Sequence, residues 1–467
     1  MRVISTRGGL DGPRVSLSEA LSEGLAPDGG LYVPEELPLA DSARVEQAGD
    51  AARNPDPVAS LAEVAEVVLE PFFRGDPLAD ALPELCREAF SFPAPMQELA
   101  VPMQELAAPM RELAAPMREP RDEGEEASGM LELFHGPTAA FKDYAARFLA
   151  AALERIPAKG ERHVLVATSG DTGSAVAAAF HGRPRVRVTV LYPEEGVSPR
   201  QAHLLGCFGG NVQSFRVQGS FDECQRMVKV ALGDPALRTR HGLTSANSIS
   251  LGRLLPQMAY YVHAALRRGD VPSFIIPSGN FGNALACLWA REVGYPIGDV
   301  FLATNRNRAL VEWLETGKVE SRESVRTPAN AMDVGVPSNL ERLRFRHPEP
   351  GPLRDGSGTR SGARLEAGSV TDQEIRAALA EAPKRWGVTV CPHTACALHH
   401  LGRLRDGGDH RTWIVVATAH PAKFPEVVEP EVGHAVELPP ALAELLERPA
   451  RAQEMEVGKG TLARVLG

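Results

Sequence analysis

The sequence lacks paired cysteines, long apolar runs and an excess of positive charge. Its six cysteines form no CxxC pair, so we expect neither a zinc site nor a disulfide framework, but reduced, mostly buried thiols in a cytoplasmic compartment. No apolar run reaches the length of a membrane span, and the first residues contain no hydrophobic signal core. The net charge of −10 argues against nucleic acid or an anionic membrane as a partner. An anionic small molecule stays open as a ligand, because a local cluster of Arg, Lys and backbone N–H groups can hold it inside an acidic protein.

The length and composition predict a globular protein of two or three domains. The chain has 467 residues, of which 43% are hydrophobic and 24% charged, and this allows a large core. In the first part of the chain, Asp56 is predicted to cap a helix whose apolar residues follow at helical spacing. We predict a mostly helical domain, a low-complexity insertion with an acidic linker, an α/β region and a C-terminal tail, over residues 1–94, 95–129, 130–435 and 436–467.

Two segments have biased composition. A PMxELAA unit repeats every seven residues, starting at Pro95, Pro102, Pro109 and Pro116. The proline in each unit excludes a continuous helix, so each unit is predicted to form at most one or two short turns. Residues 346–370 are rich in Gly, Pro, Arg and Ser and are predicted to be a surface loop or a disordered insertion.

Buried strands alternate with helices after the insertion. Strands are predicted over 164–168, 186–192, 273–277 and 413–418, and helices lie between them. This alternation predicts an α/β fold with parallel sheets wrapped by helices. Ligands of such sheets bind at the carboxyl ends of the strands, and three motif-bearing loops fall at those ends.

Lys142 lies near the start of a predicted helix in the segment LELFHGPTAAFKDYAARFL. Phe141, Ala145, Phe148 and Ala152 mark one face of that helix, so the lysine has apolar neighbours. Desolvation lowers the pKa of a lysine and leaves the free amine that Schiff-base chemistry needs. The alternative is a surface lysine that extends to water.

Two glycine-containing loops each connect a strand to a helix. The segment ATSGDTGSA contains Gly170 and Gly173, and the segment PSGNFGNALA contains Gly279 and Gly282. Glycines let the backbone approach a ligand closely, and the following helix N-terminus offers N–H donors to an anion. The alternative is a plain turn in each case, with Asp171 or Thr172 as a helix cap in the first loop.

Two further segments carry polar groups. Asn247, Ser248 and Arg253 could together clamp a phosphate or an oxyanion. The alternative is that Ser248 caps a helix that has an exposed arginine. In ATAHPAKF, the Thr418 hydroxyl could meet a ring nitrogen at a strand end, whereas His420 and Lys423 are more typical of loop residues than of catalysts.

The motifs HGPTAAFKD, SGDTG, NSISLGR, SGNFGN and TAHPAKF follow one another in this order, after STRGG and DGGLYVP. FSFPAP and NAMDVGVPSN accompany them. Together they resemble the pyridoxal phosphate (PLP)-dependent threonine synthases of the class found in yeast and enteric bacteria. The resemblance covers residues 1–432 with interruptions at 95–129 and 346–370. It implies a fold type II PLP enzyme, similar to tryptophan synthase β, with a small N-terminal helical domain.

The resemblance also implies roles for individual residues. Lys142 would carry PLP and act as the general base. The cofactor would further contact Asp171 at its 3′-oxygen, Thr418 at its ring nitrogen, and a phosphate cradle of Gly279, Asn280, Phe281, Gly282 and Asn283. The substrate would be bound by Ser169, Thr172, Gly173, Asn247, Ser248 and Arg253.

The implied reaction converts O-phospho-L-homoserine and water to L-threonine and phosphate by γ-elimination and β-hydration, in a monomer or homodimer without a metal. The sequence departs from the family pattern at Ala139, where leucine is usual, and at Cys391, where glutamate is usual. The heptapeptide repeats are foreign to the family. These departures put in doubt the packing beside Lys142 and any ion pair at residue 391.

Two other interpretations remain open. One is a related PLP enzyme, either a phospholyase or a dehydratase that releases a 2-oxo acid. The Asn247, Ser248 and Arg253 set argues against a simple dehydratase, because a substrate without phosphate does not need it. The other is a non-catalytic binding protein that uses the Met-rich repeats as its interaction surface, against which the intact Lys142 argues.

Overall fold

The computed structural model describes residues 1–99, 128–158, 160–320, 322–350 and 363–458, together with 462, 465 and 466. Most of the heptapeptide repeats and the middle of the predicted loop at 346–370 lie outside these ranges. Within them, no helix is long and apolar enough to cross a lipid bilayer.

The N-terminal region is mostly helical, as predicted. Two short strands, β1 (Val3–Ser5) and β2 (Tyr32–Pro34), pair antiparallel. The helices are α1 (Leu17–Glu23), α2 (Ser42–Ala52), α3 (Pro57–Phe73) and α4 (Leu82–Ala89). Asp56 caps α3 by accepting hydrogen bonds from the backbone N–H groups of Val58 and Ala59, which confirms the predicted helix start.

A six-stranded sheet forms one half of the α/β region. Its strand order is β11-β10-β9-β12-β4-β3, and all neighbours are parallel except β3 and β4. The strands are β3 (Met96–Glu98), β4 (Ser128–Glu132), β9 (Ser273–Pro277), β10 (Val300–Thr304), β11 (Leu365–Ser369) and β12 (Trp413–Ala417). The strands predicted at 273–277 and 413–418 are therefore confirmed.

The two edge strands of this sheet differ from the sequence-based predictions. β3 lies in the first heptapeptide, where only short turns were expected, and β11 lies in the segment predicted as a loop. An edge strand needs a partner on one side only, so it can form from a polar sequence that carries no buried-strand pattern. The predicted insertion thus begins with residues that belong to the sheet.

A five-stranded, fully parallel sheet forms the other half, in the order β13-β7-β6-β5-β8. Its strands are β5 (Arg162–Ala167), β6 (Val186–Pro193), β7 (Val212–Gln218), β8 (Leu243–Ser245) and β13 (Gln453–Glu456). β5 and β6 confirm two predicted strands. β13 comes from the predicted tail, which therefore folds back onto this sheet.

Helices cover both sheets. They are α5 (Lys142–Arg155), α6 (Asp171–Phe180), α7 (Pro199–Gly206), α8 (Phe221–Leu232), α9 (Pro235–His241), α10 (Leu251–Leu254), α11 (Met258–Arg268), α12 (Gly282–Glu292), α13 (Ala309–Thr316), α14 (Leu340–Arg346), α15 (Asp372–Arg385), α16 (Pro392–Asp406), α17 (Pro425–Val432) and α18 (Pro440–Glu447). Every residue of α12 is buried. The largest apolar cluster joins α3, α5, α11 and α12 to strands of both sheets. One core therefore fixes the relative position of the loops that follow the strands of the two sheets.

Candidate active site

A cavity lies where loops from the carboxyl ends of both sheets meet. The predicted site residues that line it are Lys142, Ser169, Asp171, Thr172, Asn247, Ser248, Arg253, Gly279, Asn280, Phe281, Gly282, Asn283 and Thr418. Gly173 does not line the cavity; it packs tightly in the following helix, where an added Cβ would lie 2.5 Å from Leu205 and Thr168.

Lys142 is the first residue of α5, as predicted. The turn before it is closed by Asp143, which accepts hydrogen bonds from the N–H and the hydroxyl of Thr138 at 2.8 and 2.6 Å. Burial lowers the pKa of the Lys142 amine, although the Asp171 carboxylate, 3.6 Å away at Oδ2, favours the charged form. Lys142 is thus a largely buried amine at a cavity wall and not a surface lysine.

Thr418 is held beside Lys142 by the backbone. The N–H of Phe141 donates to the Thr418 carbonyl at 2.9 Å, and the N–H of His420 donates to the Ala139 carbonyl at 3.1 Å. Ala139 has a φ of 52°, is 1% exposed, and packs in a cluster with α7 and α18. The alanine at this position is therefore accommodated by helices that cover it.

The loop after β5 is organised by Thr168, which the sequence analysis did not select. Its hydroxyl accepts hydrogen bonds from the N–H groups of Gly170 and Gly173, both at 2.9 Å. Gly170 has a φ of 139°, which favours glycine, and it precedes α6 without any side-chain cap. Asp171 and Thr172 therefore do not cap the helix, and both side chains line the cavity.

Asp171 is the centre of a buried polar cluster. Its Oδ1 lies 2.7 Å from Nζ of Lys423 and accepts a hydrogen bond from Nε2 of Gln201 at 3.0 Å, while its Oδ2 faces Lys142. Burial by itself would raise the pKa of this carboxyl, but the two lysines hold the pKa well below its usual range. Lys423 lies in the short turn after β12, as is typical of a loop residue, but it is fully buried. Gln201 was missed because its sequence signal is that of a capping residue of α7.

The loop after β9 leads into α12 through strained backbone. Phe281 has a φ of 65°, and a Cβ at Gly279 would lie 2.8 Å from Cα of Met332. Oδ1 of Asn283 accepts hydrogen bonds from the hydroxyls of Tyr260 and Tyr261. Its Nδ2 is buried and finds no partner among the described residues, although Asn283 lines the cavity. This loop therefore offers a buried donor beside the N-terminus of a helix, which suits an anion.

The segment around Arg253 differs in part from the prediction. Ser250, and not Ser248, caps α10. Asn247 uses its amide to bind the backbone of Ala167, accepting from N–H at 3.2 Å and donating to the carbonyl at 2.6 Å. Asn247 therefore fastens the segment to the end of β5.

Arg253 is buried, which excludes the exposed arginine of the alternative interpretation. It is 2% exposed and donates through Nη1 to the Ala246 carbonyl at 2.6 Å. Burial lowers its pKa to about 10, so the guanidinium stays charged. Its Nε has no partner in the part of the chain that the structure describes. The cavity therefore contains a buried cation with unused donor capacity.

Sequence patterns missed His393, which lines the cavity, and Arg342, which supports the backbone around Ser248. His393 lines the cavity, and its Nε2 accepts a hydrogen bond from the Ala331 N–H at 3.0 Å; burial lowers its pKa to about 4, so the ring is neutral. Arg342 is fully buried and donates to the carbonyls of Tyr32 and Ile249. Neither lies in a segment whose sequence signals a ligand. Cys391, also buried, bonds only with its neighbours His393 and Thr394 among the described contacts.

Comparison with known proteins gives a consistent set of relatives. Residues 2–90 match the family described as threonine synthase N terminus, 117–420 the family described as pyridoxal-phosphate dependent enzyme, and 394–464 the family described as threonine synthase, C-terminal. Threonine synthase of Haemophilus influenzae is 35% identical over 448 residues, which cover 95% of this chain and 94% of that protein.

Solved structures agree with the sequence matches. The crystal structure of threonine synthase from Escherichia coli has a TM-score of 0.82 at 32% identity and covers 100% of this chain and 99% of that chain. PLP-bound threonine synthase from Brucella melitensis has a TM-score of 0.81, also at 32% identity, and covers 100% and 98%. The similarity therefore extends across both sheets and the cavity between them.

Proposed function

The chain belongs to the threonine synthase family, and from this premise we propose which of its residues bind the cofactor and the substrate. It has the type II fold of PLP enzymes and acts as a PLP-dependent carbon–oxygen lyase of threonine biosynthesis. We propose O-phospho-L-homoserine as its substrate and L-threonine and phosphate as its products.

The residues present fit PLP. Lys142 would supply the largely buried amine that attaches to the cofactor aldehyde, and Thr418 would serve the ring nitrogen. The loop from Gly279 to Asn283 would supply backbone N–H groups for the cofactor phosphate, together with Nδ2 of Asn283, which has no partner among the described residues. Asp171 lies within reach of Lys142 and so of the 3′-oxygen. When bound, PLP supplies an electron sink for the carbanions of the reaction.

The substrate phosphate is assigned to Arg253 and Ser248, with Asn247 as the residue that fastens their segment. Arg253 supports this assignment because it is buried, charged, and retains a donor without a partner among the described residues. Ser169, Thr172 and the helix N-terminus at Gly173 are assigned to the substrate carboxylate or phosphate. Arg253, Ser248, Ser169 and Thr172 line the same cavity as Lys142.

Lys142 moves the protons in this proposal. Its freed amine removes the proton from Cα of the substrate and later one from Cβ, phosphate leaves from Cγ, and water adds at Cβ. Cγ is protonated, and Cα regains a proton before threonine is released. Burial lowers the pKa of the Lys142 amine, which favours the neutral form that accepts a proton.

The observation that carries the proposal is a largely buried amine of lowered pKa in one cavity with two buried donors that have no partner among the described residues. The test is product analysis with O-phospho-L-homoserine, in which threonine, phosphate, ammonia and 2-oxobutyrate are measured together. We expect equal amounts of threonine and phosphate. Phosphate with 2-oxobutyrate and without threonine would instead show a phospholyase that releases a 2-oxo acid.

Three further assignments are proposals of the same kind. The protein is proposed to be a monomer or homodimer in the cytoplasm, which the six buried, unlinked cysteines support. Its chain is proposed to divide into an N-terminal domain, an insertion with its linker, a catalytic region and a C-terminal segment, at the boundaries 94, 129 and 435. The fold of β13 onto the second sheet supports treating the last segment as a structural part of the catalytic region.

A further inference from the structure

Lys423 is a fully buried lysine that contacts Asp171, a residue of the cavity wall. It ends the short turn Pro421–Lys423 after β12 and is fully buried. Its Nζ donates to the Thr138 carbonyl at 2.8 Å and lies 2.7 Å from Oδ1 of Asp171. A fully buried ammonium is costly unless it is paired and hydrogen-bonded, and both conditions hold here.

The carboxylate of Asp171 is shared unequally between two lysines. Oδ1 receives Lys423 and the amide of Gln201, whereas Oδ2 faces Lys142 at the longer distance of 3.6 Å. One carboxylate cannot neutralise two ammonium groups that are largely removed from water, so desolvation favours the loss of a proton from one of them. Lys142 is the candidate because its distance to the carboxylate is the longer one, although the Phe141 ring beneath its Nζ favours the charged amine.

Other charged groups around Lys142 do not reverse this balance. Arg253 lies on the side of α10 and favours the neutral amine, and His393 on α16 is neutral. Asp143 beside Lys142 has a raised pKa because of its burial, while hydrogen bonds from Thr138 oppose this. His420, on the same turn as Lys423, has its pKa lowered by burial to about 4. Asp171 and Lys423 are therefore the pair that sets the local charge.

We propose that Lys423 is a positioning residue that neutralises Asp171, so that Asp171 holds the Lys142 amine in place without keeping it protonated. Lys423 touches neither substrate nor cofactor in this arrangement; it acts through Asp171. The inference rests on the proposed role of Lys142 as the residue that carries the cofactor.

The test measures how fast the apoenzyme takes up PLP as a function of pH. The neutral Lys142 amine attacks the aldehyde carbon, the carbonyl oxygen leaves as water, and a carbon–nitrogen double bond with its own absorbance band forms. The limiting rate at saturating PLP reports the fraction of neutral amine and is independent of PLP affinity. Lys142→Ala gives the blank, and Lys384→Met, which changes an exposed lysine of α15, is the matched control.

Charge balance predicts how each variant shifts the pH midpoint, which is the pH at which the limiting rate of PLP uptake reaches half of its maximum. Lys423→Met leaves Asp171 facing Lys142 alone, so the midpoint rises by about one pH unit and the rate at neutral pH falls about tenfold. Asp171→Asn leaves Lys423 unpaired and lowers the midpoint. The double variant removes both charges and returns the midpoint to that of the wild type, which a merely structural role of Lys423 would not do.

The results of this experiment distinguish a failure of the Lys423 proposal from a failure of the role proposed for Lys142. An unchanged midpoint in folded Lys423→Met overturns the proposal, as does a double variant that keeps the high midpoint. If Lys423→Met does not fold, the double variant is compared with Asp171→Asn, and equal midpoints overturn the proposal. If the wild type forms no absorbance band with PLP, the proposed role of Lys142 fails instead, so the two failures are distinguishable.

Discussion

The Asn283 side chain serves two purposes at once. Its oxygen is committed to the hydroxyls of Tyr260 and Tyr261, which fixes the orientation of the amide, while its nitrogen is left without a partner among the described residues. An unsatisfied buried donor costs about 1–3 kcal/mol. This unsatisfied donor therefore destabilises the folded state among the described contacts, and a bound anion would accept its hydrogen bond. The same holds for Nε of Arg253.

Arg253 gives a prediction at the scale of one side chain. We expect Arg253→Ala to raise KM for O-phospho-L-homoserine about 10–100-fold, because hydrogen bonds to charged groups contribute about 1.5–3 kcal/mol. The affinity for PLP should change much less, and steady-state kinetics with a PLP titration measure both. The exposed Arg240 provides the control variant Arg240→Ala. Equal losses in both constants would assign Arg253 to the cofactor phosphate.

The sequence predicts the place of a site residue well when its near neighbours in the chain also form the local structure that positions it. Lys142 follows a turn and begins a helix, and the glycines of the two loops precede helix starts, all within a few residues of chain. Lys423, Gln201 and Arg342 could not be found in this way. Their partners are far away in sequence, so only the folded chain shows that each is buried and paired.

At the scale of elements, α14 connects the N-terminal region to the segment that contains Ser248 and Arg253. Arg342 on this helix donates to the carbonyls of Tyr32 in β2, Ile249 and Ser248, and to Oδ1 of Asn339. Burial lowers its pKa to about 9. One side chain thus joins three segments that do not otherwise share a strand or a helix.

We expect Arg342→Met to lower the free energy of unfolding by at least about 3 kcal/mol, because several buried carbonyls lose their donors at once. KM for O-phospho-L-homoserine should rise as well, since the Ser248 segment loses its support. Urea denaturation and steady-state kinetics measure the two effects. Arg344→Met, at an exposed position of the same helix, should stay within about 0.5 kcal/mol of the wild type. A variant as stable as the wild type would contradict this role.

The positions of the strands could be predicted from the sequence better when the strands are more deeply buried. β5, β6, β9 and β12 are buried throughout or nearly so, and the composition of each gave its position within one or two residues. β3 and β11 are partly exposed edge strands whose sequences resemble loops. Their structure depends on a neighbouring strand that sequence patterns do not reveal.

At the scale of the whole molecule, the cavity takes its walls from both sheets. Loops after β5 and β8 face loops after β9 and β12 across it. A ligand that binds all four loops stabilises the native state as a whole, by about 2.7 kcal/mol at a concentration 100 times its Kd.

We therefore expect PLP to raise the Tm of the apoenzyme by at least about 2 °C, measured by differential scanning calorimetry. Lys142→Ala should show a smaller increase, because it keeps the phosphate cradle but loses the covalent attachment. An unchanged Tm of the wild type in saturating PLP would show that the cofactor does not bridge the two sheets.

The position of β12 has a consequence for the order in which the protein is made. This strand lies between β9 and β4 in its sheet but follows both in the chain. On the ribosome, β4 and β9 each present an open edge until Trp413–Ala417 emerges, and open edges can pair with other nascent chains. Thr418, which we propose to contact the cofactor, follows that strand directly. We therefore expect the cofactor to bind only to chains whose central strand is already in place.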